Sequence, residues 1–168
     1  MGRIDRQRVL IPYVPRPQFI DFHSRTERFA CIVAHRRFGK TVGCINDLQR
    51  GALTCTRERP RFAYIAPYLK QAKTVAWDYL LHFSAPIPGV KVNHSELKVD
   101  YPNGGQVRLY GADNADGMRG IYLDGVVLDE PADMDPRVWP VAKRSLLAHV
   151  EHIQGLNSQN NNNKANTL

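Results

Sequence analysis

Cysteine, acidic side chains and long apolar runs are all scarce in this chain of 168 residues. The three cysteines, Cys31, Cys44 and Cys55, are odd in number and lack CxxC spacing. That pattern excludes a disulfide framework or a thiolate clip and fits a reducing compartment. No apolar run approaches the ~20 residues that span a bilayer. Arg3, Asp5 and Arg6 stand where a secretion signal needs apolar side chains, so no export is expected. What is present suits one globular domain: 43% of residues are hydrophobic, which excludes wholesale disorder, collagen and coiled coil.

Acidic residues number 16 against 23 Lys and Arg, a net charge of +7. The excess is uneven. Residues 1–40 carry nine basic and three acidic side chains, whereas residues 41–168 carry fourteen and thirteen. The basic side chains at issue form two groups: Arg3, Arg6, Arg8 and Arg16, then Arg36, Arg37 and Lys40. An arginine-rich arm can neutralise DNA phosphates, and it can equally be a solvated terminus.

Hydrophobic periodicity divides the chain into an arm (1–28), an α/β core (29–150) and an Asn-rich tail (151–168) expected to be disordered. In the arm, Pro12, Pro15 and Pro17 imply irregular, extended chain. Phe29 to Val33 reads as a short buried strand, and Thr41 to Arg50 as a helix stopped by Gly51. Phe62 to Ile65 is a second strand, followed by a helix over Leu69 to Phe83. Leu97 to Tyr101 and Gln106 to Tyr110 flank Pro102-Asn103-Gly104-Gly105, a hairpin signal. Val126 to Leu128 is a further apolar strand, and Asp135-Pro136 caps and opens a helix running towards Val150. Strands alternating with helices imply a mainly parallel sheet flanked by helices, with the hairpin as an insertion.

Two motifs carry chemistry. Ala34-His35-Arg36-Arg37-Phe38-Gly39-Lys40-Thr41 fits the P-loop pattern except that Ala34 replaces the first glycine. Such a loop wraps phosphate in backbone N–H groups and aims a helix N-terminus at it. Lys40 would reach the β- and γ-phosphates, and the Thr41 hydroxyl would ligate Mg²⁺. Downstream, Asp129-Glu130 ends the apolar strand, in the arrangement of a Walker B pair. Asp129 would hold Mg²⁺ through a water, and Glu130 would orient and polarise the attacking water. Pro131 would confine Glu130 to extended backbone.

The residues resemble the large subunit of phage terminases, the DNA-packaging motors. The likeness extends over roughly residues 12–145. It includes Tyr64-Ile65-Ala66-Pro67 and the helix after it, Gly111-Ala112-Asp113-Asn114, Met118-Arg119-Gly120 and Asp129-Glu130. The resemblance implies an ASCE-type, RecA-like P-loop NTPase fold using ATP and Mg²⁺, acting on double-stranded DNA in the host cytoplasm. It also implies a small terminase subunit and a portal protein as partners, and a homo-oligomeric ring. Gln18 matches the adenine-reading glutamine; its alternative is an ordinary exposed side chain. Arg36 matches a loop arginine that senses the γ-phosphate, and Arg37 lies beside it in the nucleotide loop. Arg119 matches an arginine inserted into a neighbouring subunit's site; its alternative is an ion pair with Asp113, Asp116 or Asp124.

The family's Thr/Ser-rich coupling motif and its nuclease domain have no counterpart after Asp129-Glu130, so the fold is expected to be incomplete at its C-terminal end. The alternative function is a remnant that folds and binds nucleotide or DNA without turnover. A helicase-like ATPase is disfavoured because no helicase motifs follow the acidic pair.

Overall fold

The computed structural model describes residues 9–114, 116–118, 120–140 and 142. Arg3, Arg6, Arg8, Arg119, the end of the expected last helix and the Asn-rich tail lie outside the described residues.

Pro17 opens a helix, α1 (Pro17–Ser24), where its fixed φ suits the first turn and its missing N–H costs nothing. The arm is therefore helical in part, contrary to the irregular chain expected from its prolines. Phe19, buried on α1, lies against α2 (Lys40–Thr54): a Cβ added at Gly43 would fall 2.8 Å from its ring. Asp47 of α2 ties the same helix down, accepting from Arg25 at 2.6 Å and contacting His23 at 3.3 Å. Tyr13 extends the link, its hydroxyl 2.8 Å from the other His23 nitrogen.

Gly51 does not stop α2, which continues to Thr54. A Cβ at position 51 would lie 2.5 Å from the Phe62 ring, so glycine is required there by close helix–strand packing and not by a turn. A glycine near a helix end has the same sequence signature in both roles.

The sheet has the order β2-β3-β4-β1-β5. Strands β1 (Arg61–Ala66), β4 (Gln106–Gly111) and β5 (Gly125–Leu128) are parallel. Strand β3 (Lys98–Asp100) runs antiparallel to β4 through the turn at 101–105, and β2 (Lys91–Asn93) extends that meander. Between β1 and β2, α3 (Leu69–Ala72), a π turn (Lys73–Trp77) and α4 (Asp78–Ser84) run end to end. One core layer lies between α2, these helical segments and the sheet, centred on Ile45, Tyr64, Leu80 and Val107. A second contains Ile65, Met118, Leu123 and Val138.

The expected strand at Phe29–Val33 does not form. No ladder pairs this segment, and Phe29 and Val33 are exposed. Its apolar composition satisfies the strand pattern, but composition does not supply backbone partners, and neither open edge of the described sheet, β2 or β5, pairs with this segment. Only Ile32 packs against the core. At the other end, Asp135 behaves as read from sequence: its carboxylate accepts from the Arg137 backbone N–H at 2.9 Å, a helix-cap contact.

Candidate functional site

The loop 34–41 meets α2 through two left-handed residues, Arg37 at φ 62° and Gly39 at φ 96°. With Arg36 and Phe38 at negative φ, the sign of φ alternates along the loop, a feature shared with backbone nests that gather N–H groups for an anion. Glycine suits position 39 because a Cβ is strongly disfavoured at that φ. Position 34 has no positive φ, so alanine fits there without strain. Lys40 folds back over the loop and donates from Nζ to the Ala34 carbonyl at 2.7 Å and the His35 carbonyl at 3.4 Å. Among the described residues neither the Arg36 nor the Arg37 side chain has a partner, and both are exposed.

The acidic pair reaches the start of α2 through β1. Tyr64, fully buried at 0% exposure, donates its hydroxyl to Asp129 Oδ2 at 2.5 Å. The Asp129 backbone N–H donates to the Ile65 carbonyl at 2.9 Å, carrying the β1–β5 pairing one residue past the strand. Helix α2, whose first turn carries Thr41, packs on both β1 and β5. Burial first, then the bond to Asp129 and its charge, raise the Tyr64 pKa, while Thr41 opposes the shift, so the phenol stays a donor. Cys44, one turn further along α2, is pushed up to about 12, first by burial and then by the negative charge of Asp129. Thr41 and Asp129, far apart in sequence, thus belong to elements that pack together.

Glu130 is not extended: it has φ 54° and ψ 55°, in the left-handed region, despite the proline that follows. The chain turns sharply there into the 3-10 turn Pro131–Asp133. Strain of this kind in a non-glycine residue is held only where surrounding contacts impose it. Here Gln71 of α3 donates from Nε2 to Glu130 Oε2 at 3.1 Å.

Gln18 is exposed and lines an open cleft of about 500 Å³ between α1, the segment 29–33 and Phe38 of the loop. Phe19, Phe22 and Phe29 line the same cleft. Of the ion-pair alternatives for Arg119, Asp124 pairs with Arg57 at 2.5 Å and accepts from the Arg61 N–H at 2.8 Å. Among the described residues no group of three His, Cys, Asp or Glu side chains could hold a metal ion alone. A cation between Thr41 and Asp129 would need further oxygens, such as those of a phosphate.

Three residues at this site had no assigned role in the sequence reading. Arg16, grouped there with the arm's arginines, donates to the Phe38 carbonyl at 2.9 Å and the Arg37 carbonyl at 3.4 Å. Its place just before Pro17 at a helix start is the only sequence signal that it points anywhere specific. Gln71 and Tyr64 lie in helical and strand patterns that explain them as surface and core, so nothing in sequence separates them from their neighbours.

The described residues form an α/β domain with the fold of a phage large-terminase ATPase domain. The chain is similar to the ATPase domain of the Thermus phage P74-26 large terminase, with a TM-score of 0.55 and 23% identity over 68% of this chain and 53% of that one. It is similar also to the large terminase of a thermophilic bacteriophage, with a TM-score of 0.55 and 19% identity over 66% of this chain and 29% of that one. The ADP complex of the latter protein matches with a TM-score of 0.55 and 20% identity over 67% of this chain and 29% of that one. The chain thus spans about half of the first structure and under a third of the others. No protein-family model and no curated protein matches it. Among the described residues no helix is long and apolar enough to cross a membrane.

Proposed function

We propose that this chain is the ATP-binding and hydrolysing module of a terminase-type motor that translocates double-stranded DNA. The observation that carries this reading is the hydrogen bond that fixes Asp129 at the tip of β5, against which α2 packs, beside a loop whose φ alternates in sign up to Gly39. A hydroxyl and a carboxylate suit a hard cation, so Thr41 and Asp129 would hold Mg²⁺ together with phosphate oxygens. That ion supplies charge neutralisation on the phosphate oxygens.

The chain's own residues do the rest. On binding, Lys40 exchanges the Ala34 carbonyl for the β- and γ-phosphates, and the N–H groups of the loop and the first turn of α2 face the anion. Glu130 keeps Oε2 on Gln71, leaving Oε1 to orient the attacking water and take its proton. Arg36 and Arg119 stabilise γ-phosphate charge, and Arg37 contributes to the nucleotide loop. Gln18 reads adenine at the mouth of the aromatic cleft. Double-stranded DNA, a small terminase subunit, a portal protein and a ring of copies are the partners this role implies, in the host cytoplasm.

A second reading is a module that binds nucleotide without turnover. It is favoured by the unpaired segment 29–33, which leaves the loop's leading strand outside the sheet. Steady-state ATP hydrolysis with and without DNA separates the two. Lys40→Ala is expected to lose nucleotide binding, and Glu130→Gln to bind ATP but hydrolyse at least 100-fold more slowly. Wild-type turnover no higher than that of these variants would reject the motor reading in favour of the second.

A further inference from the structure

Tyr64 is the largest fully buried side chain in the domain, and a phenylalanine would fill the same core. The hydroxyl is what needs explaining, because burying one without a partner costs about 1–3 kcal/mol. Its partner is the carboxylate at the tip of β5, reached at the short distance typical of a bond to an ionised acceptor. The register makes this specific. Tyr64 pairs with Val127 across the β1–β5 ladder, and the ladder's continuation from Asp129 N–H to the Ile65 carbonyl fixes the Asp129 backbone. The side chain is then fixed separately, through Oδ2 alone. Helix α2, which begins at Lys40 and carries Thr41 in its first turn, packs on both β1 and β5. The phenol therefore fixes one oxygen of the candidate cation ligand Asp129, and among the described residues Asp129 Oδ1 has no hydrogen-bond partner.

We propose that Tyr64 is the positioning residue of the cation site: its hydroxyl holds Asp129 Oδ2 so that Oδ1 and the Thr41 hydroxyl present themselves together to a divalent ion on the nucleotide. This rests on the nucleotide-binding reading above. Tyr64 itself touches neither ion nor nucleotide. Partners that orient a metal ligand in this way are worth roughly 10–100-fold in metal affinity or activity.

The test is how much Mg²⁺ tightens the binding of ATPγS, measured as the dissociation constant in EDTA divided by that in Mg²⁺. Tyr64→Phe is expected to bind ATPγS in EDTA within about twofold of wild type and to lose about tenfold or more of the tightening. Asp129→Asn should lose it too, and adding Tyr64→Phe to Asp129→Asn should change nothing further, because the phenol acts only through that carboxylate. Tyr64→4-aminophenylalanine keeps the ring and a donor and is expected to retain the tightening. A folded protein carrying that residue without the tightening overturns the proposal, whatever Tyr64→Phe does to stability. Unchanged tightening in Tyr64→Phe overturns it as well. Wild type that binds no ATPγS in either buffer rejects the nucleotide reading itself, and this assignment with it.

Discussion

Asp47 offers a direct test of how the arm is held over the candidate nucleotide cleft. Its carboxylate, 10% exposed, receives Arg25 at 2.6 Å, Arg50 at 3.0 Å and His23 at 3.3 Å. The pair with Arg50 is within α2 and half-exposed, worth only about 0.3–0.5 kcal/mol. The bond from Arg25 is better shielded and charge-assisted, worth about 1.5–3 kcal/mol. Alanine also adds roughly 0.5 kcal/mol of helix propensity to α2, equally whether α1 is docked or not, so that gain leaves the docking energy unchanged. Asp47→Ala should therefore weaken the docking of α1 by about 2 kcal/mol, leaving Phe19 as its main attachment. Because ~1.4 kcal/mol is tenfold in an equilibrium constant, amides of residues 17–24 should exchange about 30-fold faster. Native-state hydrogen exchange read by mass spectrometry checks this, with β1 and β4 as internal references. Unchanged exchange in 17–24, or an equal rise in the sheet, would refute the argument that Asp47 acts on the arm. If Gln18 reads the base, the same variant should also lose preference for ATP over GTP.

Arg16→Ala removes the guanidinium from the Phe38 and Arg37 carbonyls, worth about 0.5–1.5 kcal/mol in total because the side chain is exposed. Titration of a fluorescent ATP analogue should show several-fold weaker binding with base preference intact, whereas unchanged affinity would show that Arg16 does not shape the loop. Glu130→Gly relieves a left-handed backbone and should leave the melting temperature equal or slightly higher, while hydrolysis falls as in Glu130→Gln. A clear loss of stability would argue against strain at Glu130. Cys44, with its thiol pushed up to about 12, should be almost all protonated at pH 8. Iodoacetamide should label the exposed Cys31 first and Cys44 last, and equal rates at the two sites would contradict the burial described for Cys44.

Much of the architecture was readable in the chain because its signals are local. The apolar face of α2, the turn residues at 102–105 and the Asp135 cap each act through neighbours a few positions away, so periodicity and turn chemistry expose them. The failures share one cause. Phe29–Val33 has the composition of a strand, yet pairing depends on whether a partner edge is adjacent, which composition does not encode. Gly51 reads as a helix stop because the Phe62 ring that requires it belongs to a different element. Pro131 should extend Glu130, but the turn into residues 131–133 and the bond to Gln71 hold it left-handed.

The candidate site divides the same way. Sequence alone determined the loop from Ala34 to Thr41 and the acids Asp129 and Glu130, since residue types at fixed spacing define what they can bind. It also showed three cysteines without CxxC spacing and no apolar run of membrane-spanning length. Only the tertiary structure decided that Tyr64 holds Asp129, because that depends on β1 lying beside β5 in this register. The same holds for Arg16, which counted as surface charge in the sequence and lies on the loop's carbonyls in the fold. Contacts between residues distant in sequence are set by packing, and packing is a property of the whole domain rather than of any segment.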